Sequence, residues 1–309
     1  MPQTNRTIPK GETVFNTDSN QYPNTYSIYG GLSITKGQFG NSGDIYVYDT
    51  GYINVAEGTE FTTLELGTLE NYGKIYTSGY FAFNTPNTSG RFKNGMKGTV
   101  YIREKGVLGN NGKILNESLA TIEINGEFDN SGVGSIINNG TILNKTKDAS
   151  KFYNGGILTG NGSIVGSWTD HGQVHPGNST GGMLFNGDYF KSDGNITIEI
   201  NGDDDRNRDR TKTTYDFIDV SGDMIISGGM LDVSLIDDYK LRRGQEFLIA
   251  KIDGKLSGEF DKTKEGQSLG EFESIYGKKI NLFISYEAGD GNDISLYTPP
   301  LINSDMIFA

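Results

Sequence analysis

The chain has 309 residues, no cysteine, two histidines and a formal net charge of −12. The absence of cysteine excludes disulfide frameworks and thiolate metal sites, and the negative charge argues against nucleic acid or an anionic membrane as a partner. Glycine accounts for 44 residues, about twice its ~7% average share. With the abundant β-branched and aromatic residues, this composition predicts an all-β protein. No apolar run is long enough for a membrane-spanning helix.

Residues 1–30 are polar, contain three prolines and show no periodic pattern. This composition predicts an irregular N-terminal arm. The segment also lacks the apolar run that follows the basic residues of a secretory signal. We therefore expect a protein that does not use that export route.

From residue 31 to residue 187 one short phrase recurs, for example GVLGNNGKILN from Gly106. Its five copies begin at Gly37, Gly67, Gly106, Gly126 and Gly156, so that they start 30, 39, 20 and 30 residues apart. Four copies carry asparagine at the fifth position, namely Asn41, Asn71, Asn110 and Asn130. A unit of about ten residues with insertions predicts stacked coils, a parallel β-solenoid. The alternative is a meander of β-hairpins, because Asn-Gly is also a hairpin signal.

The repeated residue types have physical roles in such a stack. Glycine suits coil corners where φ is positive or where backbones crowd together. Asparagine tolerates a left-handed corner and can hydrogen-bond to its neighbours along the stack. The Leu, Phe and Ile positions of the phrase are expected to point inward.

Residues 188–298 contain longer strands with clean alternation, such as NITIEI from Asn195, MLDVSLI from Met230 and INLFISY from Ile280. This pattern predicts a C-terminal antiparallel β domain. Such a domain would cap the open end of the solenoid, where an uncovered coil would act as a template for aggregation. Residues 299–309 form a tail that starts with two prolines.

Two acidic loops are candidate calcium sites. The first carries the four carboxylates of Asp203, Asp204, Asp205 and Asp209. Arginines alternate with these acids and compete for them, and the fixed spacing of a calcium loop is missing. The second loop contains Asp290 and Asp293 and resembles one turn of a calcium-binding repeat, a site that needs adjacent tandem turns. We assign no metal or cofactor, and calcium stays the alternative in each loop.

No catalytic residue is assigned either. His171 and His175 lie in a predicted corner, so the helical spacing of a zinc site does not apply. A glycan-cleaving enzyme would need two carboxylates facing each other across a groove. The candidates for such a pair are Asp44, Glu65, Glu123 and Asp129. Because no pair is singled out by its sequence context, we expect a protein that is not an enzyme.

Several tyrosines lie in or beside predicted strands, namely Tyr46, Tyr48, Tyr72, Tyr76 and Tyr80. Amphipathic aromatic rings are favoured in contact surfaces and could stack on sugars. The simpler interpretation is cross-strand packing on an exposed sheet face.

Three short motifs mark residues 156–298: a Pro-Gly-Asn corner at Pro176, Gly177 and Asn178, a Tyr-Asp pair at Tyr215 and Asp216, and a Gly-Asn-Asp turn at Gly291, Asn292 and Asp293. With the strands around them, they resemble the end of autotransporter-type passenger domains and related bacterial surface β-helix proteins. The resemblance implies a right-handed parallel β-helix for surface display, adhesion or shielding, and it implies no catalytic residues.

The chain departs from that family in lacking a signal peptide and any translocating segment after residue 298. This difference favours a bacteriophage protein, because virion components reach the exterior by lysis. We expect a structural subunit on the virion exterior, an appendage, fibre or decoration protein for attachment or assembly. Its partners would be its own copies (a trimer is plausible), neighbouring virion or surface proteins and a host-surface glycan. The alternatives are a bacterial cell-surface or secreted passenger adhesin and a tailspike-like, glycan-cleaving enzyme.

Overall fold

The computed structural model of the protein describes residues 5–17, 20–22, 25–64, 66–84 and 90–300. These residues form 36 β-strands and two 3-10 turns, η1 (Ala149–Lys151) and η2 (Arg206–Arg208). In this part of the chain, no helix has the length and apolar character needed to span a membrane.

The strands in chain order are β1 (Arg6–Ile8), β2 (Thr13–Asn16), β3 (Asn20–Tyr22), β4 (Tyr26–Ile28), β5 (Gly31–Ile34), β6 (Gln38–Asn41), β7 (Asp44–Val47), β8 (Tyr52–Val55), β9 (Glu60–Thr63), β10 (Thr68–Asn71), β11 (Lys74–Thr77), β12 (Tyr80–Phe83), β13 (Arg91–Asn94), β14 (Thr99–Ile102), β15 (Val107–Asn110), β16 (Lys113–Asn116), β17 (Thr121–Ile124), β18 (Glu127–Asn130), β19 (Ser135–Asn138), β20 (Thr141–Asn144), β21 (Phe152–Asn154), β22 (Ile157–Gly160), β23 (Ser163–Val165), β24 (Trp168–Asp170), β25 (Gln173–Pro176), β26 (Gly182–Asn186), β27 (Tyr189–Lys191), β28 (Asn195–Ile200), β29 (Phe217–Val220), β30 (Met224–Ile226), β31 (Met230–Leu235), β32 (Glu246–Ile252), β33 (Leu256–Ser257), β34 (Ser268–Phe272), β35 (Ile280–Ala288) and β36 (Asp293–Tyr297).

The strands belong to three sheets that the chain visits in turn. Sheet A contains every third strand from β1 to β31, and sheet C every third strand from β3 to β33, eleven strands each. Sheet B contains every third strand from β2 to β32 and continues through β36, β35 and β34. Neighbouring strands pair in parallel up to β33, so each coil adds one strand to each sheet. The predicted parallel β-solenoid with an antiparallel C-terminal part is confirmed.

The coil is longer than the unit inferred from the repeated phrase. Val107 pairs with Glu127, 20 residues further on, and three strands lie within that interval. The phrase is therefore a strand-corner-strand module rather than a coil. Its copy at Gly106 joins sheet C to sheet A, whereas the copy at Gly67 joins sheet A to sheet B. Because the phrase occupies different corners, its spacing along the chain is irregular.

The core is made of the inward residues of these alternating strands. Ile, Val, Leu and Phe side chains occupy them and are fully buried, for instance Ile75, Val100 and Ile122 in sheet B. In sheet C the inward side chains form a column that includes aromatic rings stacked from coil to coil. The ring centres of Phe152 and Trp168 lie 5.4 Å apart. Ring stacking at this distance adds to the burial of the large apolar surfaces. Each coil is thus held by the one before it and the one after it.

The glycines of the phrase are needed mainly because the backbones of successive coils approach closely at these positions, and less because of unusual φ angles. A Cβ at Gly106 would lie 2.2 Å from the carbonyl oxygen of Thr77, and one at Gly67 would lie 2.4 Å from that of Asn41. Only glycine lets the corner of one coil sit against the backbone of the preceding coil.

Two of the predicted segment boundaries differ from the structure. Within residues 1–30, strands β1 to β4 already pair in parallel with the next coil, so this segment begins the solenoid and is not an irregular arm. Residues 188–298 are not wholly antiparallel, because β28 and β31 are parallel strands of sheet A. Alternation alone does not distinguish parallel from antiparallel pairing, and this is why the sequence pattern misplaced the boundary. Of the predicted tail, residues 301–309 lie outside the described residues.

The antiparallel part covers the C-terminal end of sheet B. Strand β36 pairs with β32, β35 with β36, and β34 with β35. The inward residues Leu282, Ile284 and Leu296 of this part are buried. The last coil of sheet B therefore has no free edge, as a protected solenoid end requires.

Candidate functional site

One asparagine of the repeated phrase, Asn71, begins a buried hydrogen-bonded ladder in sheet A. It consists of Asn71, Asn94, Asn116 and Asn138. Each Nδ2 donates to Oδ1 of the next asparagine, at 2.8, 2.9 and 2.8 Å. The first three amides also donate to backbone carbonyls in sheet B, those of Thr99, Thr121 and Thr141. The last, Asn138, donates to the carbonyl of Ser163 at 3.1 Å. Because buried amides must find partners, this ladder fixes the register of successive coils.

A second ladder in sheet C ends in charged residues. It consists of Asn110, Asn130, Asn154 and Asp170. The donor-acceptor distances from one residue to the next are 2.7, 2.6 and 2.7 Å. Asp170 accepts but cannot donate, so the coil after it must supply donors. Strand β27 supplies them: Lys191 Nζ and the Tyr189 hydroxyl lie 2.6 and 2.8 Å from Asp170 Oδ2.

The pair of Asp170 and Lys191 is completely removed from solvent, with both side chains 0% exposed. Burial raises the pKa of the Asp170 carboxyl, and the neighbouring ammonium opposes that increase. Burial also lowers the pKa of Lys191, while that of Tyr189 lies well above its ordinary value for the same reason. A charge pair without solvent is stable only when its remaining donors and acceptors are satisfied.

The predicted role of the repeated asparagines is confirmed in part. Asn71, Asn110 and Asn130 hydrogen-bond along the stack. However, none of the four asparagines of the phrase has a positive φ angle, so the expected left-handed corners are wrong. The amide sits at the end of a strand, where its side chain points into the core.

Two arginines of the first acidic loop attach the loop to neighbouring coils. Arg208 donates to Asp219 Oδ1 at 2.7 Å and to the carbonyl of Leu248 at 2.8 Å, and its guanidinium lies 4.0 Å from the centre of the Phe217 ring. Arg210 donates to the carbonyl of Gly162 at 2.8 Å. These contacts fasten the loop across several coils of sheet B.

The acids of this loop have protein partners. Asp203 accepts from Gln245 Nε2 at 2.8 Å, Asp204 pairs with Arg206 at 3.0 Å, and Asp209 pairs with Lys212 at 2.9 Å. The hydrogen bond from Gln245, together with the charge of Arg242, holds the pKa of Asp203 below its ordinary range. Lys212 and hydrogen bonds from Thr211 lower the pKa of Asp209 in the same way. Among the described residues, no group of three or more His, Asp or Glu side chains is placed to hold a metal ion.

The second acidic loop closes the antiparallel part. Asp293 Oδ1 accepts from the backbone N–H of Ile252 at 2.7 Å, and Asn292 donates to the carbonyl of Ile252 at 3.2 Å. The Gly-Asn-Asp turn therefore anchors β36 to β32. Its carboxylate is engaged with backbone, which is a structural role.

The two histidines lie apart. His175 is on the outer face of sheet A in β25, and burial lowers its pKa. His171 follows β24 of sheet C, where its ring lies 5.1 Å from that of Tyr153 and 3.1 Å from the Ser192 hydroxyl. Nothing in their geometry joins them into one site.

The candidate carboxylates do not line a common groove. Asp44 lies on β7 of sheet A, Glu123 on β17 of sheet B and Asp129 on β18 of sheet C. Asp44 accepts from the Thr68 hydroxyl at 2.6 Å, and Glu123 pairs with Lys145 at 3.1 Å. The three side chains therefore face different directions. Glu65 lies outside the described residues.

The tyrosines stack mainly on their own neighbours. Tyr48 lies parallel to Tyr29 with ring centres 4.2 Å apart, and Tyr76 lies parallel to Tyr101 at 5.1 Å. Tyr72 donates to Glu70 Oε2 at 2.7 Å. Tyr46 is half-buried on sheet A, and the hydroxyl of Tyr80 lies over Gly109. Cross-strand packing thus describes Tyr48 and Tyr76, and Tyr76 has a second neighbourhood on the outer face of sheet B.

That neighbourhood is a groove on the outer face of sheet B, here named the aromatic trough. It encloses about 400 Å³ and is lined by Thr13, Phe15, Ser33, Tyr52, Asn54, Tyr76 and Arg103. Phe15, Ser33, Asn54 and Tyr76 are register partners on the successive strands β2, β5, β8 and β11. Two short polar side chains thus lie between two rings. With strands about 4.7–4.9 Å apart, the rings stand roughly 14 Å apart along the stack.

The trough has an ordered polar floor, an exposed aromatic end at Phe15 and a half-buried one at Tyr76. Asn54 Nδ2 donates to Ser33 Oγ at 3.2 Å, and Arg103 donates to Asn54 Oδ1 at 3.3 Å. The guanidinium of Arg103 lies 4.8 Å from the centre of the Tyr76 ring. Phe15 is 62% exposed. Large apolar surface exposed next to fixed donors and acceptors is typical of a binding groove.

Tyr52 forms the side of the trough. Its ring lies over Gly31, where a Cβ would be only 2.3 Å from the ring, and its hydroxyl is 3.0 Å from that of Thr13. The glycine thus makes room for the ring to lie flat on the sheet. A larger residue at position 31 would lift Tyr52 and narrow the groove.

A second depression, of about 830 Å³, lies beside the first acidic loop. Asn139, Asn161 and Asn178 line it, together with Arg210. Asn178 Nδ2 donates to Oδ1 of both other asparagines, at 2.9 and 2.7 Å. The amides largely satisfy one another, and no aromatic ring is among the residues that line this depression. It therefore has fewer groups available to bind a ligand than the trough has.

Sequence reasoning identified Tyr76 and missed the rest of the trough. Phe15 belongs to the segment predicted as an arm, and Ser33, Asn54 and Arg103 carry no distinctive sequence context. Only the coil register brings them together. A search for residues at equal positions in successive coils would have found them.

The motifs behind the family resemblance are structural. Gly177, with φ of 92°, exchanges backbone hydrogen bonds of 2.8 Å with Gly160. Asp216 is buried and accepts from the N–H groups of Gly181 and Glu199 at 2.8 and 2.9 Å. Burial raises its pKa to about 8. These groups join one coil to the next.

No protein-family model matches the sequence, and no curated protein matches it significantly.

Proposed function

We propose that this chain is a non-enzymatic structural protein displayed on an exterior surface, as an appendage, fibre or decoration subunit of a phage virion that attaches the particle to a glycan. The observation that carries the proposal is the aromatic trough on the side of a continuous stacked core. The resemblance of residues 156–298 to surface β-helix proteins supports the exterior location.

The stacked core suits a mechanical role. Its coils are joined by backbone pairing in three sheets, by inward aromatic and aliphatic columns and by two amide ladders. An exterior subunit must keep its shape outside the cell, and a core continuous from coil to coil supplies that rigidity.

The trough has the chemistry of a site for a short neutral oligosaccharide. Pyranose rings have an apolar face, which the exposed ring of Phe15 can cover, and hydroxyls, which Asn54 and Arg103 can bind. The net charge of −12 disfavours polyanionic glycans, because like charges repel at long range. The distance between the rings suits a few linked sugars.

Binding to immobilised glycans tests this proposal. We expect the full chain to bind at least one neutral oligosaccharide, and we expect Phe15→Ala or Tyr76→Ala to weaken binding at least tenfold. Tyr48→Ala is the matched control, because Tyr48 stacks on Tyr29 away from the trough. It should bind as the parent does.

Equal binding by all these variants would contradict a role for the trough. Absence of binding to every neutral glycan tested would contradict the attachment role as proposed. Release of shortened sugars from a bound polysaccharide would contradict the non-enzymatic part and favour the glycan-cleaving alternative.

Self-assembly is a separate part of the proposal, and light scattering on the full chain measures it. We expect the mass of a trimer that is unchanged by EDTA, because Asp203 in the first acidic loop and Asp293 in the second have protein partners. A monomer would contradict the fibre form. Dissociation by EDTA would favour calcium in one of the two loops.

The second candidate is a bacterial passenger-type adhesin, favoured by the structural positions of the Pro-Gly-Asn, Tyr-Asp and Gly-Asn-Asp motifs. Immunogold labelling with antibodies against the purified chain distinguishes the two. Label on phage particles supports the virion subunit, and label on intact bacterial cells supports the adhesin.

A further inference from the structure

The end of the sheet C ladder places an amine against a carboxyl group inside the core. Lys191 Nζ lies 2.6 Å from Asp170 Oδ2, and neither side chain is exposed. The two residues are register partners on the adjacent strands β24 and β27. The strands hold the amine next to the carboxyl carbon with little freedom to leave.

Each oxygen of Asp170 has its own set of donors. Oδ1 accepts from Asn154 Nδ2 at 2.7 Å and from the backbone N–H of Gly172 at 3.0 Å. Oδ2 accepts from Lys191 and from the Tyr189 hydroxyl at 2.8 Å. Two fixed N–H donors on one carboxyl oxygen can stabilise negative charge that develops there during nucleophilic attack on the carbon.

The surroundings exclude water and favour neutral groups. The rings of Trp168 and Tyr189 are buried and stack 4.8 Å apart beside the pair. Burial lowers the pKa of Lys191 and raises that of Asp170, so both shifts favour a free amine and a protonated acid. These are the forms that condense to an amide.

We propose that Lys191 and Asp170 join in an isopeptide bond that the folded chain forms by itself. Nζ bonds to Cγ of Asp170, and the bond from Cγ to Oδ2 breaks. Of the two protons of the free amine, one stays on the amide nitrogen, and the other leaves as water together with Oδ2 and the proton of the acid. Tyr189 relays a proton from Nζ to Oδ2 and ends unchanged, so no oxidant or other reactant is needed.

The bond ties two coils together covalently at the end of the sheet C ladder. Asn154 and the N–H of Gly172 keep their acceptor, because Oδ1 becomes the oxygen of the new amide. The reaction thus removes two buried ionisable groups, and it leaves neither Oδ1 nor its two donors unpaired. It would also close a covalent loop in the chain, which limits the unfolded ensemble.

The mass of the denatured full chain tests the proposal. We expect it to be lower than the sequence mass by one water molecule. After proteolysis, tandem mass spectrometry should show a branched peptide that joins Lys191 to Asp170. A full sequence mass overturns the proposal, and so does the loss of water without a branched peptide, since an aspartate can lose water alone as a succinimide.

Two variants give matched controls. Lys191→Met should have its full sequence mass, because the nucleophile is gone. Tyr189→Phe keeps the ring that stacks on Trp168 but lacks the relaying hydroxyl, and the crosslinked fraction at a fixed time after refolding should fall at least tenfold. Crosslinking of Tyr189→Phe at the parent rate would overturn the role of Tyr189 as proton relay.

Discussion

The two asparagine ladders begin alike and end differently. In sheet A the last amide, Asn138, donates to a backbone carbonyl, and every member is neutral. In sheet C the last amide, Asn154, donates to the carboxylate of Asp170, which in turn needs Lys191 and Tyr189. A row of amides runs in one direction, so its final donor needs an acceptor. Where that acceptor is a buried acid, a cation must follow.

This difference makes the sheet C ladder the more vulnerable of the two. The loss of one amide removes hydrogen bonds, whereas the loss of the lysine leaves a carboxylate buried without its counter-ion.

The largest effect is expected from Lys191→Met. Compared with the parent chain before the isopeptide bond forms, we expect the free energy of unfolding to fall by about 3–5 kcal/mol, the usual result of removing one partner of a buried ion pair. Chemical denaturation measures it. The double variant Asp170→Asn/Lys191→Met should recover at least half of that loss, because asparagine can continue the ladder without charge. No recovery would show that the ladder does not depend on charge balance.

A smaller effect is expected in the neutral ladder from Asn116→Leu. Asn94 then loses one acceptor, and Asn138 Oδ1 loses its donor, so we expect a fall of about 1–3 kcal/mol in the free energy of unfolding. The same substitution at the exposed Asn125 is the control and should change stability by less than ~0.5 kcal/mol. If Asn116→Leu proves as harmful as Lys191→Met, the contrast between the two ladders is wrong.

A pH dependence is expected from the C-terminal coils, since the ladder of sheet A has no ionisable member. Burial raises the pKa of Asp216 to about 8 from its ordinary 3.8, so the folded chain holds this proton more tightly than the unfolded chain. Stability should therefore decline as the pH rises from about 4 to about 8, and the contribution of Asp216 should level off above that.

Thermal midpoints across this pH range provide the measurement. Asp216→Asn should show a flatter decline than the parent, even if it is less stable at every pH, because it loses an acceptor for a backbone N–H. A decline as steep as that of the parent would assign the titration to another group.

Local sequence patterns were sufficient for the inward and outward faces of the strands and for the stacked architecture, but not for the length of a coil or the conformation of its corners. The alternation in TIEI (Thr121–Ile124) and KILN (Lys113–Asn116) places every second residue inward, and the structure buries them. The recurring asparagines also pointed to hydrogen bonds along the stack. These features depend on residues a few positions apart, which backbone geometry relates directly.

The site and the charged end of the ladder could not be read in the same way. Asp170 and Lys191 stand in ordinary polar stretches, WTDHG and YFKSD. Their meeting depends on how many residues each corner uses, and the corners vary in length. The same holds for Phe15 and Tyr76, which share one face of sheet B because each coil between them returns to the same register. Residue types and their alternation therefore specify a stacked β fold, whereas contacts between coils depend on the accumulated length of the turns, a property of the whole folded chain.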